Sequence, residues 1–136
     1  MRTIARILAE AGNLPPGFHI HIDNSPWMPL DIEDIEISGP NFLPSISVAH
    51  YGKQNGDAMR DPEMLFEMRR EGSEIVLEPY YWRNDFVGIE QYSGYRDDEQ
   101  KLFTLHNLKQ KQEEFARVCD RNLAAQGYFE AFLRSR

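Results

Sequence analysis

A single cysteine, Cys119, stands among the 136 residues, so no disulfide can form within the chain and a reducing compartment is the simplest setting. No apolar run approaches the roughly 18 residues that cross a bilayer. Met1 to Ala11 includes Glu10 and is too short and too polar for a secretory signal. The expectation is a cytoplasmic protein with no membrane attachment. Positive charge is also scarce: 15 Lys and Arg stand against 22 Asp and Glu, a formal net charge of −7. The densest basic groups are only Arg69-Arg70, Lys109 to Lys111 and the Arg134/Arg136 tail. Generic binding to a phosphate backbone needs clustered cations and is not expected; an acidic surface serves solubility first. Signatures of common catalysts are missing too. There is no Walker loop, G-x-G-x-x-G, G-x-S-x-G, H-E-x-x-H or paired C-x-x-C.

What is present fits one folded domain over residues 1–136. The chain is 41% hydrophobic and 12% aromatic, enough to bury a core. Residues 3–11 read as a short amphipathic helix capped by Thr3, with Ile4, Ile7, Leu8 and Ala11 on one face. Phe18, Ile20 and Ile22 alternate with His19, His21 and Asp23, the period of a half-buried strand. Over 30–38 the apolar parity switches between Ile32 and Ile35, which predicts a bulge near Glu33-Asp34. Ile46, Val48 and His50 alternate with Ser47, Ala49 and Tyr51, and Met64, Phe66 and Met68 form a returning strand. Residues 75–82 and 86–92 read as a hairpin.

Proline is absent after Pro79 and glycine between Gly94 and Gly127. That predicts a helix at about 107–126, with Asn107 as cap and Leu108, Phe115, Val118, Cys119 and Leu123 as its buried stripe; Asn122, near that stripe, is expected to bond backbone. Residues 96–106 either extend this helix or supply a sixth strand. The fold class is therefore α+β: a mostly antiparallel sheet of five to six strands, a short N-terminal helix, and a long C-terminal helix packed on one sheet face.

The densest gathering of polar groups is a loop expected between the strands at 46–51 and 64–68. It carries His50, Tyr51, Gln54, Asn55, Asp57, Arg60, Asp61 and Glu63, the candidate binding residues. Asn55-Gly56 and Asp61-Pro62 are both turn signals. Two readings stand side by side. In one, Asp57 and Asp61 accept loop N–H bonds and fix hairpin register. In the other, Asp57, Asp61 and Glu63 hold a metal for phosphoester hydrolysis, with His50 and Arg60 as base and cation. The acids lack the spacing of a calcium loop.

His19 and His21 form an H-x-H pair that could join His50 in a zinc site. The same parity also places them on the solvent face of an ordinary strand, and no fourth ligand stands at a fixed spacing; no metal and no cofactor are expected. Cys119 on an apolar stripe behaves as a small hydrophobe. Tyr80, Tyr81, Trp82, Phe86, Tyr92 and Tyr95 suit sheet packing better than base stacking, because few cations accompany them.

The blocks WMPLDIEDI, GPNFLPSISVAHY, QNGDAMRDPEMLFE, RNDFVGIEQ and RNLAAQGY together resemble a family of small uncharacterised bacterial proteins carried largely on phages, plasmids and integrative elements. The resemblance covers about residues 26–128; Gly52 and Lys53 depart from its pattern. It implies a bacterial cytoplasm and a mobile element, and no chemistry. The leading expectation is a non-catalytic accessory protein that binds a protein or nucleoprotein target, a host-defence component among the targets to consider. The alternatives are a metal-dependent hydrolase or nuclease using the 50–63 segment, and a structural subunit of a larger assembly.

Overall fold

Three helices gather on one face of a six-stranded sheet. The computed structural model describes all 136 residues. Helix α1 (Arg2–Ala11) leads into strands β1 (His19–Asn24), β2 (Trp27–Ser38), β3 (Pro44–Gln54), β4 (Asp57–Glu71), β5 (Glu74–Asn84) and β6 (Ile89–Tyr92). Short strands β7 (Gly94–Arg96) and β8 (Leu102–Thr104) follow, then helices α2 (His106–Ala125) and α3 (Tyr128–Arg134). Strands β1 to β6 form an antiparallel meander in chain order, and β7 pairs with β8 in a separate ribbon. The α+β class, the short first helix and the long C-terminal helix are as the sequence periods predict.

Register follows from burial. Ile20, Ile32, Val48, Met64 and Trp82 stand opposite one another from strand to strand. Together with Ile22, Leu30, Ile46 and Phe66 they form the sheet side of the main core, which Ile4, Ile7, Ala116, Leu123, Tyr128 and Phe132 close from the helices. Fully burying side chains of this size contributes about 1.5–3 kcal/mol each. The predicted bulge exists: β2 and β3 lose register between Asp34 and Ser38, where Glu36 adopts φ 57°.

Several expectations are corrected. Thr3 does not cap α1. The helix begins at Arg2, and the Thr3 N–H donates to Asp120 Oδ1 on α2 at 2.8 Å. Leu105, not Asn107, precedes α2. Of the two readings of 96–106 the strand one holds for residues 102–104, though in the separate β7–β8 ribbon, and α3 follows Gly127, which takes φ 77° as glycine does at low cost. On α2 the buried positions are Gln112, Ala116 and Leu123; Phe115 and Cys119 are half-buried, and Val118 is exposed. The stripe is rotated because Gln112 turns inward to pair with Ser93 Oγ at 2.6 Å. Asn122 is exposed, and its side chain bonds no backbone.

Candidate functional site

The expected 50–63 loop is almost entirely strand. Only Asn55 (φ 53°) and Gly56 (φ 85°) turn the chain, a tight turn with positive φ at both central residues. Asp61-Pro62 lies inside β4, not in a turn. Because alternate residues of a strand face opposite ways, the candidates part company. His50 stands opposite Leu30 on the helix-covered face. There its Nδ1 lies 2.9 Å from the Pro29 carbonyl. It lines an apolar cavity of about 260 Å³ with Trp27, Cys119 and Tyr128. Gln54, Asn55 and Asp57 sit at the exposed hairpin tip. Asp57 accepts no side-chain hydrogen bond; Asp61 Oδ1 accepts one from Asn84 at 3.0 Å. The backbone acceptor in this region is Asp85, whose Oδ2 takes the Arg60 N–H at 2.8 Å. Gly52 has a contact of its own: a Cβ there would lie 2.9 Å from the Phe86 ring.

Tyr51, Arg60 and Glu63 do come together, on the face that no helix covers. Two cross-strand rows define this open face. One runs His21, Asp31, Ala49, Glu63, Arg83, Glu90; the next runs His19, Glu33, Ser47, Leu65, Tyr81, Tyr92. On β3 to β6 a polar network links the two rows. Ser47 Oγ donates to Glu63 Oε2 at 2.6 Å. Arg60 Nε approaches Glu63 Oε1 at 3.0 Å, off the N–H axis, so this is an ion pair rather than an aligned hydrogen bond. Arg83 Nε donates to Asp85 Oδ1 at 2.7 Å, and Tyr81 OH donates to Glu90 Oε2 at 2.6 Å.

The ionisation states follow. The Arg60 N–H and the Arg83 guanidinium hold the Asp85 carboxyl below its usual range. Burial, then the Glu63 charge, raises Tyr51. Burial, then the bond to Glu90, raises Tyr81. These phenols remain neutral donors at physiological pH.

Asp57, Asp61 and Glu63 form no metal-binding group. The one set of three ligand-type residues that converges is His19, His21 and Asp31, and His50 is excluded from it by facing the other way. Asp31 Oδ1 lies 2.6 Å from His19 Nε2 and 2.8 Å from His21 Nδ1. The Asp31 bond is the main reason His21 holds its proton to higher pH than a free imidazole.

The open face also holds a groove of about 360 Å³ lined by Ile37, Phe42, Tyr80, Tyr92, Tyr95 and Arg96, among others. The aromatic group of the β5–β6 region is therefore split. Tyr80 and Tyr81 are buried, whereas Phe86, Tyr92 and Tyr95 are exposed. Phe42 is 62% exposed and adopts φ 61°, a left-handed conformation that costs a bulky residue about 1–3 kcal/mol. Its loop is pinned from below. Glu67, only 4% exposed, accepts the Asn41 N–H, the Asn41 side-chain amide and the Leu43 N–H at 2.8, 2.8 and 3.2 Å. From above, the Arg96 guanidinium stacks 4.1 Å over the Phe42 ring. The 50–63 segment did not signal this groove; its sequence trace is Gly39-Pro40 followed by an aromatic residue, with a glutamate buried in a strand.

The chain belongs to a family described as a domain of unknown function, DUF6908, whose model matches residues 2–129. No curated protein and no solved structure matches it.

Proposed function

We propose that this member of the DUF6908 family is a non-catalytic interaction protein, an accessory factor of a bacterial mobile element, that grips a protein target with the uncovered face of its sheet. The observation that supports it most is Phe42. A large apolar side chain is held out in water, on strained backbone, by a buried carboxylate that does nothing else visible. Strain maintained by surrounding structure is a pointer to function. Aromatic and arginine side chains around a groove are also the composition of binding hot spots. Beyond the groove the open face sets Glu63 and Glu90 beside their partners Arg60 and Arg83, so the fitting target is a protein segment with an apolar anchor flanked by polar residues of both signs. The mobile-element setting rests on the resemblance of the QNGDAMRDPEM block and its neighbours. Tyr51, Arg60 and Glu63 belong to this surface; His50 does not.

The hydrolase reading drew on a meeting of Asp57, Asp61 and Glu63, and these residues stand apart. The test is affinity capture from bacterial cells with the tagged full chain. It compares the parent, Phe42→Ser, Tyr95→Ala, and Arg117→Glu on the outer side of α2. The expected result is one protein retained by the parent and Arg117→Glu and reduced at least tenfold by both groove variants. Equal recovery with all four chains would contradict the proposal. Recovery abolished by nuclease treatment would make the target a nucleoprotein.

A further inference from the structure

Strands β1 and β2 place four ligand-type side chains at the corners of one cross-strand square. His19 stands opposite Glu33, and His21 opposite Asp31. All four share the open face, where directly opposed Cβ atoms lie roughly 4.5–5.5 Å apart. Ligand atoms of His19, His21 and Asp31 all fall within 4.8 Å of one another. Glu33 Oε1 lies 3.8 Å from His19 Nε2.

The electrostatics of the square are unbalanced. The Asp31 side chain is only 10% exposed. Both of its close contacts share Oδ1, leaving Oδ2 without a hydrogen bond. Neither Asp31, Glu33 nor neighbouring Asp23 pairs with any lysine or arginine; their ion-pair partners are the two histidines. With neutral imidazoles the cluster carries a net negative charge beside a nearly buried carboxylate, which a bound cation would offset.

We infer that His19, His21, Asp31 and Glu33 bind one divalent first-row transition-metal ion. Two imidazole nitrogens with one or two carboxylates suit zinc, iron or nickel rather than calcium, which demands six or more oxygens. Bond lengths of about 2.0–2.2 Å place the ligands of one ion roughly 3–4 Å apart. The square meets that spacing if the imidazoles swing off Asp31 Oδ1, now 2.6 and 2.8 Å away, and toward each other. Both histidines are half exposed and free to do so, whereas Asp31 and the strand backbones stay fixed. Coordination positions facing solvent remain open to water or to a donor from a bound molecule. The competing arrangement is a shared proton. In it, His21 donates from Nδ1 to Asp31 and from Nε2 to Asp23, 3.1 Å away. That arrangement accounts for His21 but gives no reason for His19 and Glu33 to complete the square. None of the four residues lines the aromatic groove, and the site stands whether or not that groove binds a protein.

The test uses the full chain, stripped with chelator, and titrates zinc by calorimetry at pH 7.5, with cobalt(II) absorption as a second readout. The parent should bind one equivalent, gain thermal stability with zinc, and give a ligand-field spectrum showing nitrogen and oxygen donors. His19→Gln and His21→Gln should each weaken zinc binding at least tenfold. His106→Gln, at the start of α2, should bind as the parent does. Circular dichroism of each variant checks folding; His19→Gln, at an exposed position, is the one least exposed to misfolding. Absence of saturable binding by the parent would overturn the inference. So would affinity unchanged in both His19→Gln and His21→Gln, or lost equally in His106→Gln.

Discussion

Glu67 and Asn41 are joined twice: one Glu67 oxygen accepts the Asn41 backbone N–H and the other its side-chain amide, both at 2.8 Å. The pair ties the strand at the centre of the sheet to the loop that presents Phe42. Hydrogen bonds to a charged acceptor contribute about 1.5–3 kcal/mol each. Glu67→Ala should therefore destabilise by more than ~2 kcal/mol and release the 39–43 loop. Urea midpoints together with amide exchange at Asn41 and Leu43 check both effects. Gly39→Ala should act in the same direction, because its Cβ would lie 2.2 Å from Glu67 Cγ.

The helix–sheet core predicts a graded series. Phe66 is 0% exposed, and Phe66→Ala should cost ~3–5 kcal/mol. Phe115 is only half-buried, edge-on to Trp82 with ring centroids 5.7 Å apart, so Phe115→Ala should cost less. Val118→Ala should stay within ~0.5 kcal/mol, as exposed positions do. Denaturant titration of the three variants gives the order.

Acid sensitivity should centre on Asp85. Its folded pKa is depressed by the Arg60 N–H and Arg83, so its stabilisation is present above the ordinary carboxylate value. That stabilisation is lost as pH falls from about 4 through the lower folded value. The stability gap between the parent and Asp85→Asn should be constant near neutrality and close as pH drops. Asp57→Ala, which removes no hydrogen bond, should match the parent near neutrality. Midpoints measured between pH 2 and pH 7 distinguish the two aspartates.

Cys119 should be a slow nucleophile. Burial pushes its thiol up to about 11, and the thiolate is the reactive form. Alkylation by iodoacetamide in the folded protein at pH 8 should be far slower than in denatured protein, with the rate rising steeply as pH approaches 11. Mass spectrometry of timed samples reads it.

Much of the fold was legible because burial imposes a period. The alternation from Phe18 to Asp23, the parity switch between Ile32 and Ile35, and the Pro- and Gly-free run before Gly127 each stated an element. What stayed hidden depended on pairing between strands. A two-residue turn at Ser25-Pro26 would set Leu30 opposite His21. The register shift between Ile22 and Asn24 instead brings Asp31 there, and with it the partner that the H-x-H pair lacked. The polar density of 50–63 misled for a related reason. A long twisted hairpin carries polar residues on both sides of two strands, and only pairing tells that His50 and Glu63 look opposite ways. The Phe42 groove was invisible because its support, Glu67, reads as an ordinary exposed residue of a strand, and the loop it holds lies 24 to 26 residues away.

Site-specific photocrosslinking in bacterial cells tests the binding role of the open face most directly. A photoreactive residue is placed in turn at Tyr92 beside the groove and at Arg117 on the outer side of α2. A discrete protein adduct is expected from position 92 and none from position 117; an adduct from 117 alone, or the same adducts from both, would contradict the binding role.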